Sequence, residues 1–140
     1  MKIGFLTNAL VEQAKRSGSD AFSTLDQVAD WAADHGFTDL ECGPMLPLDR
    51  AAYERVLAAG RIDITALIYC RNYLSTDAEE AANHLAELKK RIEFAGALGI
   101  DKVVTSTGID KTIEEGIYDR DPNVKDRGNM IRRIPVRSLD

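Results

Sequence analysis

Short apolar segments rich in β-branched residues recur along the chain and predict β-strands. Two of them, Ile62–Tyr69 and Lys102–Ser106, are apolar or β-branched at most positions. This pattern is typical of strands that helices bury on both faces, as in a parallel sheet. The sequence predicts four strands in all: Ile3–Leu6, Thr38–Cys42, Ile62–Tyr69 and Lys102–Ser106.

Between these strands, apolar residues recur at the three- and four-residue spacing of amphipathic helices. Ser23 is predicted to cap the first helix, with Asp26 completing a capping box, and Asp49 precedes the second. Thr76, followed three residues later by Glu79, is predicted to cap the longest helix. The apolar stripes expected to face inward are Leu25, Val28, Ala29 and Ala32, then Tyr53, Val56 and Leu57, then Leu85, Leu88, Ile92 and Ala95.

A glycine follows each predicted helix, at Gly36, Gly60 and Gly99, and a strand begins a few residues later. This alternation of helices and strands predicts an α/β fold with parallel pairing through right-handed crossovers. An open doubly wound sheet and a closed (β/α)8 barrel both satisfy it. Residues Thr7–Leu10, after the first strand, contain no glycine-rich phosphate loop, which favours the barrel. The prediction is a partial (β/α)8 TIM barrel of about four parallel strands with flanking helices.

The chain changes character after Gly108. Residues 1–108 carry the strand and helix pattern and form the predicted half-barrel, whereas residues 109–140 are polar, charge-dense and without a sustained period. They predict a long surface loop, which in a barrel would lie over the active-site face. Ser138 is a good N-cap, so Ser138–Asp140 is predicted to begin a helix that the sequence does not complete. The chain is therefore expected to be the first half of a protein built from such units.

Composition and charge exclude several classes of protein. The formal net charge is -5, and no basic patch marks a nucleic-acid surface. No run of 18 apolar residues predicts a transmembrane helix. The first residues, Met1–Phe5, lead directly into a strand without the apolar segment of a secretory leader. Cys42 and Cys70 are too few for a disulfide framework. The expectation is a cytoplasmic protein that binds neither nucleic acid nor membrane.

The candidate chemistry lies at the carboxyl ends of the predicted strands, where barrels and other α/β folds bind their ligands. Glu41 has two interpretations, a substrate contact or an ion pair with Arg71. Asn72 can bind substrate or simply form a turn through its side chain. The hydroxyl, amide and carboxylate groups at these ends suit a polyhydroxylated ligand. The residues predicted at these strand ends are Thr7, Asn8, Glu41, Cys42, Tyr69, Arg71, Asn72, Thr105, Ser106 and Thr107.

The cysteines and histidines predict no metal site. Cys42 and Cys70 end adjacent strands and could approach each other, but no histidine completes a ligand set, so ordinary buried thiols are expected. His35 suits the carboxyl end of a helix, and His84 lies one position off the apolar stripe of the longest helix. Both histidines are predicted to be structural or surface residues.

Over residues 1–108 the sequence resembles the sugar phosphate isomerase/epimerase family, which has the xylose isomerase-like TIM barrel. Four stretches carry the resemblance: Met1–Phe5, His35–Glu41, Ile64–Tyr69 with Asn72–Leu74, and Ala95–Val104. It implies an enzyme that moves a carbonyl along a sugar or inverts a neighbouring centre, and a substrate that is a sugar or a sugar phosphate. The family's divalent metal (Mn, Mg or Zn) is held by two Glu, an Asp and a His on later strands, so no metal ligand or catalytic residue is assigned here.

The resemblance gives this chain a role in substrate contact only. Glu41, Tyr69 and Asn72 match positions that line the pocket in such enzymes, and Asn8, Ser106 and Thr107 complete the predicted substrate-binding set. Without the later strands, this chain is expected neither to bind the metal tightly nor to convert substrate.

Two other functions remain open. A four-stranded half-barrel exposes two edges and an apolar inner face, so it could act by association with a second copy, a partner or a missing C-terminal half. A metal-dependent endonuclease for abasic DNA uses the same superfold, but the acidic charge balance counts against it.

Overall fold

The computed structural model describes residues 2–75 and 77–108, which form four strands and four helices. The strands are β1 (Gly4–Leu6), β2 (Asp39–Cys42), β3 (Asp63–Ile68) and β4 (Val103–Val104). The helices are α1 (Thr7–Arg16), α2 (Leu25–Asp34), α3 (Arg50–Ala59) and α4 (Ala78–Leu98). The predicted α/β class is confirmed, although each strand is shorter than its apolar segment.

The four strands form one parallel sheet in the order β1-β2-β3-β4. Each strand therefore pairs with its neighbour in sequence, as the alternation of helices and strands predicts. An open doubly wound sheet reverses its strand order at one point. These four strands show no reversal, because every crossover moves one strand further in the same direction.

One face of the sheet packs against the helices and forms the core. Phe5, Leu40 and Leu67 lie on this face, and the Phe5 ring centroid is 5.4 Å from that of Trp31 on α2. Neighbouring side chains along a strand point to opposite faces. Leu6 and Val104 accordingly belong to the other face, and both are exposed. We call this second face, which none of the described helices covers, the open face.

A β-bulge in β3 keeps the helix-facing residues in phase. Leu40 pairs with Ile64, but the next residue, Glu41, pairs with Ala66, so Thr65 is an extra residue. Its hydroxyl donates to the Leu40 carbonyl at 3.3 Å. Ile64 and Leu67 are three positions apart and would face opposite sides of a regular strand. With the bulge, both lie in the core.

The prediction was wrong at the starts of α1 and α2 and correct at the start of α3. It left out α1, which begins directly after β1 at a Leu6 N-cap that makes no side-chain bond. The N-cap of α2 is Thr24 and not Ser23, and Gln27 rather than Asp26 completes the capping box. The prediction of α3 is confirmed, since Asp49 accepts a hydrogen bond from the Ala51 N–H at 3.0 Å.

Helix α4 differs from its prediction in both its start and its buried face. The cap is Asp77, which accepts from the N–H groups of Glu79 and Glu80, whereas the predicted cap Thr76 lies outside the described residues. Leu85 and Ile92 of the predicted inward stripe are exposed. Within the part of the chain that the structure describes, the sheet ends at β4, and no described strand or helix lies over that side of α4. The predicted end at Gly99 is confirmed, with φ 71°.

The predicted loop at 109–140, with its helix start at Ser138, lies outside the described residues.

Candidate functional site

The carboxyl ends of the strands lie side by side at one edge of the sheet, as they must in parallel pairing. Asn8 occupies the first turn of α1, Glu41 lies near the end of β2, and Asn72 follows β3. Ser106 and Thr107 follow β4 and are exposed. Five of the six predicted substrate-binding residues thus lie at this end of the sheet with exposed or half-exposed side chains. We call this end the site edge.

The ends of β1 and β2 are joined by hydrogen bonds that hold Asn8 in place. The hydroxyl of buried Thr7 accepts from the Gly43 N–H at 2.9 Å, and the Asn8 Oδ1 accepts from the Met45 N–H at 3.3 Å. A Cβ on Gly43 would collide with the Asn8 side-chain amide. Position 43 therefore has to be glycine, because any side chain there would displace Asn8 from its hydrogen bond with the loop that follows β2.

The ends of β3 and β4 are joined in a similar way through Tyr73 and Thr105. Both hydroxyls share the Tyr69 carbonyl, at 3.0 Å from Tyr73 and 2.9 Å from Thr105, and they lie 2.9 Å from each other. Gly108, with φ +91°, lies so close to Asn72 that an added Cβ would be 2.7 Å from its Cα. Asn72 also accepts from the Leu74 N–H, forming the turn expected of an asparagine after a strand.

Glu41 lies between these two junctions on the open face. It pairs with Leu6 on β1 and with Ala66 on β3, and its side chain is exposed. Within the described residues it has no ion-pair partner, and the alternative of a pair with Arg71 is not realised. Arg71 instead donates to the Cys70 carbonyl at 2.8 Å. The Glu41 carboxylate is therefore free to accept hydrogen bonds from a ligand hydroxyl.

Tyr69 is the one predicted site residue that the structure turns away from the site edge. It is 6% exposed, and its hydroxyl lies 3.3 Å from Nδ1 of His84 on α4. The guanidinium of Arg91 lies 4.0 Å from the centroid of the Tyr69 ring, a cation–π contact, and that of Arg71 lies 4.9 Å away. Tyr69 thus joins β3 to α4, while its backbone carbonyl anchors Tyr73 and Thr105.

The sequence analysis missed the partners of Tyr69. Arg91 is 8% exposed and ion-paired with Glu87 at 2.9 Å, and hydrogen bonds from Lys90 and Arg91 lower the pKa of Glu87. His84 was predicted to be structural or a surface residue, and it contacts both Tyr69 and Glu80. His84 and Arg91 are seven residues apart and so share a helical face, which is the sequence signal that could have identified them.

The two cysteines differ in environment. Cys42 is buried, as predicted, and the expectation was wrong for Cys70, which is exposed after β3. Burial raises the pKa of Cys42 to about 12, although a hydrogen bond with Tyr53 partly opposes this. The same burial raises the pKa of Tyr53. Cys42 is accordingly a neutral thiol at physiological pH, unsuited to nucleophilic or metal chemistry.

Within residues 2–75 and 77–108, no three His, Cys, Asp or Glu side chains are grouped so that they could hold a metal ion. None of the helices described is both long and apolar enough to cross a membrane.

Comparison with known proteins identifies no relative. No family model matches the chain, and no curated protein or solved structure matches it at the significance that we required.

Proposed function

We propose that this chain supplies the first four β/α units of a cytoplasmic sugar or sugar-phosphate isomerase or epimerase with the xylose isomerase-like TIM barrel. In the assembled enzyme, a divalent metal and acid–base residues on other units would carry the proton transfer. The present chain would contribute substrate contacts and, by itself, would not convert the substrate. The resemblance of residues 1–108 to the family is the origin of this proposal.

The strand order is the observation that supports it most. Four parallel strands in the order β1-β2-β3-β4, with the helices on one face, correspond to half of an eight-stranded barrel. In a closed barrel the open face would become the interior, and the site edge would become part of the rim on which such enzymes bind substrate. A doubly wound nucleotide-binding sheet would instead require a reversal in strand order.

The groups at the site edge also suit a sugar. Glu41 offers a carboxylate that has no ion-pair partner among the described residues, Asn8 and Asn72 offer amides, and Ser106 and Thr107 offer hydroxyls. Hydrogen bonds between a charged acceptor and a sugar hydroxyl are stronger than those between neutral groups. We therefore assign the largest share of substrate contact in this half to Glu41, with no catalytic step given to it.

The proposal is tested by titrating the isotopically labelled chain with xylulose, fructose and their phosphate esters while recording amide NMR spectra. We expect perturbed amides to cluster at Asn8, Glu41, Asn72 and Ser106. Glu41→Gln should weaken binding by about tenfold, because it removes a charge-assisted hydrogen bond of about 1.5 kcal/mol. Glu93→Gln, at an exposed glutamate of α4, is the matched control and should bind like the wild type.

The same samples allow a test of turnover. With added Mn²⁺ or Mg²⁺ in deuterated water, the chain alone should not exchange the hydrogen next to the sugar carbonyl above the buffer rate. Perturbations confined to the amino ends of the strands would refute the proposed site. Exchange catalysed by a monomer would refute the assignment of the metal and acid–base residues to other units.

A further inference from the structure

Arg91 of α4 is a buried cation that the proposed substrate contacts do not use. It is 8% exposed, and one of its terminal nitrogens donates to the Glu87 carboxylate at 2.9 Å and to the Glu87 carbonyl at 3.1 Å. The carbon at the centre of its guanidinium lies 4.0 Å from the centroid of the Tyr69 ring, a cation–π distance. Replacing a buried ion pair by apolar side chains often leaves a fold equally stable or more stable. Fold stability therefore gives a weak account of a buried cation against this ring, and the surroundings of Tyr69 give a better one.

The backbone of Tyr69 joins the ends of β3 and β4. Its N–H donates to the Val104 carbonyl at 2.9 Å. Its carbonyl accepts from the hydroxyls of Tyr73 and Thr105, at 3.0 and 2.9 Å. Because both polar groups of this backbone position are hydrogen-bonded to neighbouring segments, a displacement of the Tyr69 ring would be transmitted to the ends of both strands.

Two of the proposed substrate contacts, Asn72 and Ser106, lie directly beside this junction. Ser106 is the next residue after Thr105, and its hydroxyl donates to the Arg71 carbonyl at 3.5 Å. Asn72 is so close to Gly108 that a Cβ on this glycine would be 2.7 Å from the Asn72 Cα. The relative position of the two substrate contacts therefore depends on how the ends of β3 and β4 are held together.

We infer that Arg91 is a positioning residue, which acts through the Tyr69 ring to hold Asn72 and Ser106 in the arrangement that binds substrate. Arg91 itself is given no contact with substrate. A binding site whose supporting residues allow displacements of about 1 Å loses much of its function, so a fixed ring at this junction matters for affinity. The inference rests on the proposed function for the nature of the ligand.

Two substitutions on α4 separate the Tyr69 contact from the ion pair. Arg91→Met removes the charge and retains a long, unbranched side chain. Glu87 then keeps Lys90 as its ion-pair partner, at 2.6 Å, so no carboxylate is left unpaired and the variant should fold. Lys90→Met is the matched control, because Lys90 pairs with the same glutamate but makes no cation–π contact within the described residues. Circular dichroism checks the fold of both variants.

Amide NMR spectra of the full chain without ligand give the first readout. The Met variant at the buried position should shift the signals of Asn72 and Ser106. It should leave in place those of Asn8 and Glu41, which lie at the ends of β1 and β2. The control should shift none of the four. Equal shifts in the two variants, or unmoved signals of Asn72 and Ser106 in the first, would overturn the inference.

Binding of fructose 6-phosphate gives a readout that a purely structural role would not move. Arg91→Met should weaken binding by about three- to tenfold, whereas Lys90→Met should bind like the wild type. Arg91→Lys returns a cation to the Tyr69 ring and should recover most of the loss. Tyr69→Phe keeps that ring but removes the hydroxyl 3.3 Å from Nδ1 of His84, so it should also bind like the wild type. A loss for Tyr69→Phe as large as that for Arg91→Met, or no recovery in Arg91→Lys, would contradict the positioning role.

The outcomes also separate this inference from the proposed function. If neither fructose 6-phosphate nor the other sugars bind the wild-type chain, the proposed function fails, and the ligand-free spectra decide the positioning role. If the sugar binds the wild type and Arg91→Met equally well, the inference fails and the proposed function stands.

Discussion

At the scale of single residues, the Cys42–Tyr53 pair links the end of β2 to α3 beneath the site edge. Tyr53 is 1% exposed and packs edge-on against Phe94, at 5.0 Å between ring centroids. Burial raises the pKa of both groups, that of Cys42 from 9.0 to about 12. The folded state therefore retains two protons that the unfolded chain releases in alkaline solution.

We expect the free energy of unfolding to fall as the pH rises above about 9. A raised folded pKa stabilises the fold fully below the unfolded pKa, and this contribution is lost as the pH rises towards the folded value. Tyr53→Phe removes one of the two protons. It should reduce the slope of the free energy of unfolding against pH by up to about 1.4 kcal/mol per pH unit. Urea denaturation at several pH values measures this slope. Tyr73→Phe is the control, and an equal slope change there would contradict the assignment.

The sequence predicted where polar groups would lie, but not which way each would turn. Asn8 and Asn72 lie at the site edge, as expected from their positions after β1 and β3. Tyr69 follows β3 just as closely, yet it lies two residues after Leu67 and therefore on the helix-covered face, where Arg91 and His84 of α4 contact it. The bulge at Thr65 decides which face this is, and the residues that Tyr69 contacts are 15 or more positions away in sequence, so no local pattern encodes either.

At the scale of elements, helix starts were predictable only where a capping side chain marks them. Asp49 was identified correctly, whereas α1 was missed because its N-cap, Leu6, offers no acceptor. Ser23 and Thr24 are adjacent and both are good caps, so sequence alone could not separate them. The Thr24 hydroxyl accepts from the Gln27 N–H at 3.4 Å, and the Gln27 side chain accepts from the Thr24 N–H at 3.1 Å.

This pair of residues gives a direct test of the cap. Thr24→Ala should destabilise the protein by about 1 kcal/mol, because it leaves an N–H group at the start of α2 without its acceptor. Ser23→Ala should change the stability by less than about 0.5 kcal/mol, since among the described residues the Ser23 side chain bonds to the Gln27 side chain, at 3.3 Å, and not to a backbone N–H of the helix. Urea denaturation of both variants compares them directly. If the Ser23 variant lost more stability than the Thr24 variant, Ser23 and not Thr24 would be the N-cap of α2.

At the scale of the whole molecule, the exposed apolar residues follow from the sheet's topology. Among residues 2–75 and 77–108, singly wound crossovers leave the open face and both sheet edges without a partner, and Leu6, Val104 and Ile92 are exposed. The α4 stripe was predicted to be buried because periodicity shows that a face is apolar, not what covers it. Burying each such side chain would contribute about 1.5–3 kcal/mol, a large fraction of the net stability of a domain.

If, as in the alternative function by association, a second copy covers these surfaces, folding and dimerisation must be coupled. The melting temperature should then rise with protein concentration, because mass action favours the associated native state over separate unfolded chains. Each tenfold increase in protein concentration stabilises the folded dimer by about 1.4 kcal/mol. This corresponds to a rise in melting temperature of about 2–4 °C for a dimer of this size. Differential scanning calorimetry at about 10 and 100 µM measures the shift. Ile92→Glu should reduce this shift in melting temperature, and Leu74→Glu, at an exposed leucine in the loop after β3, should leave it unchanged. A wild-type melting temperature independent of concentration would mean that the half-barrel is stable without a second copy.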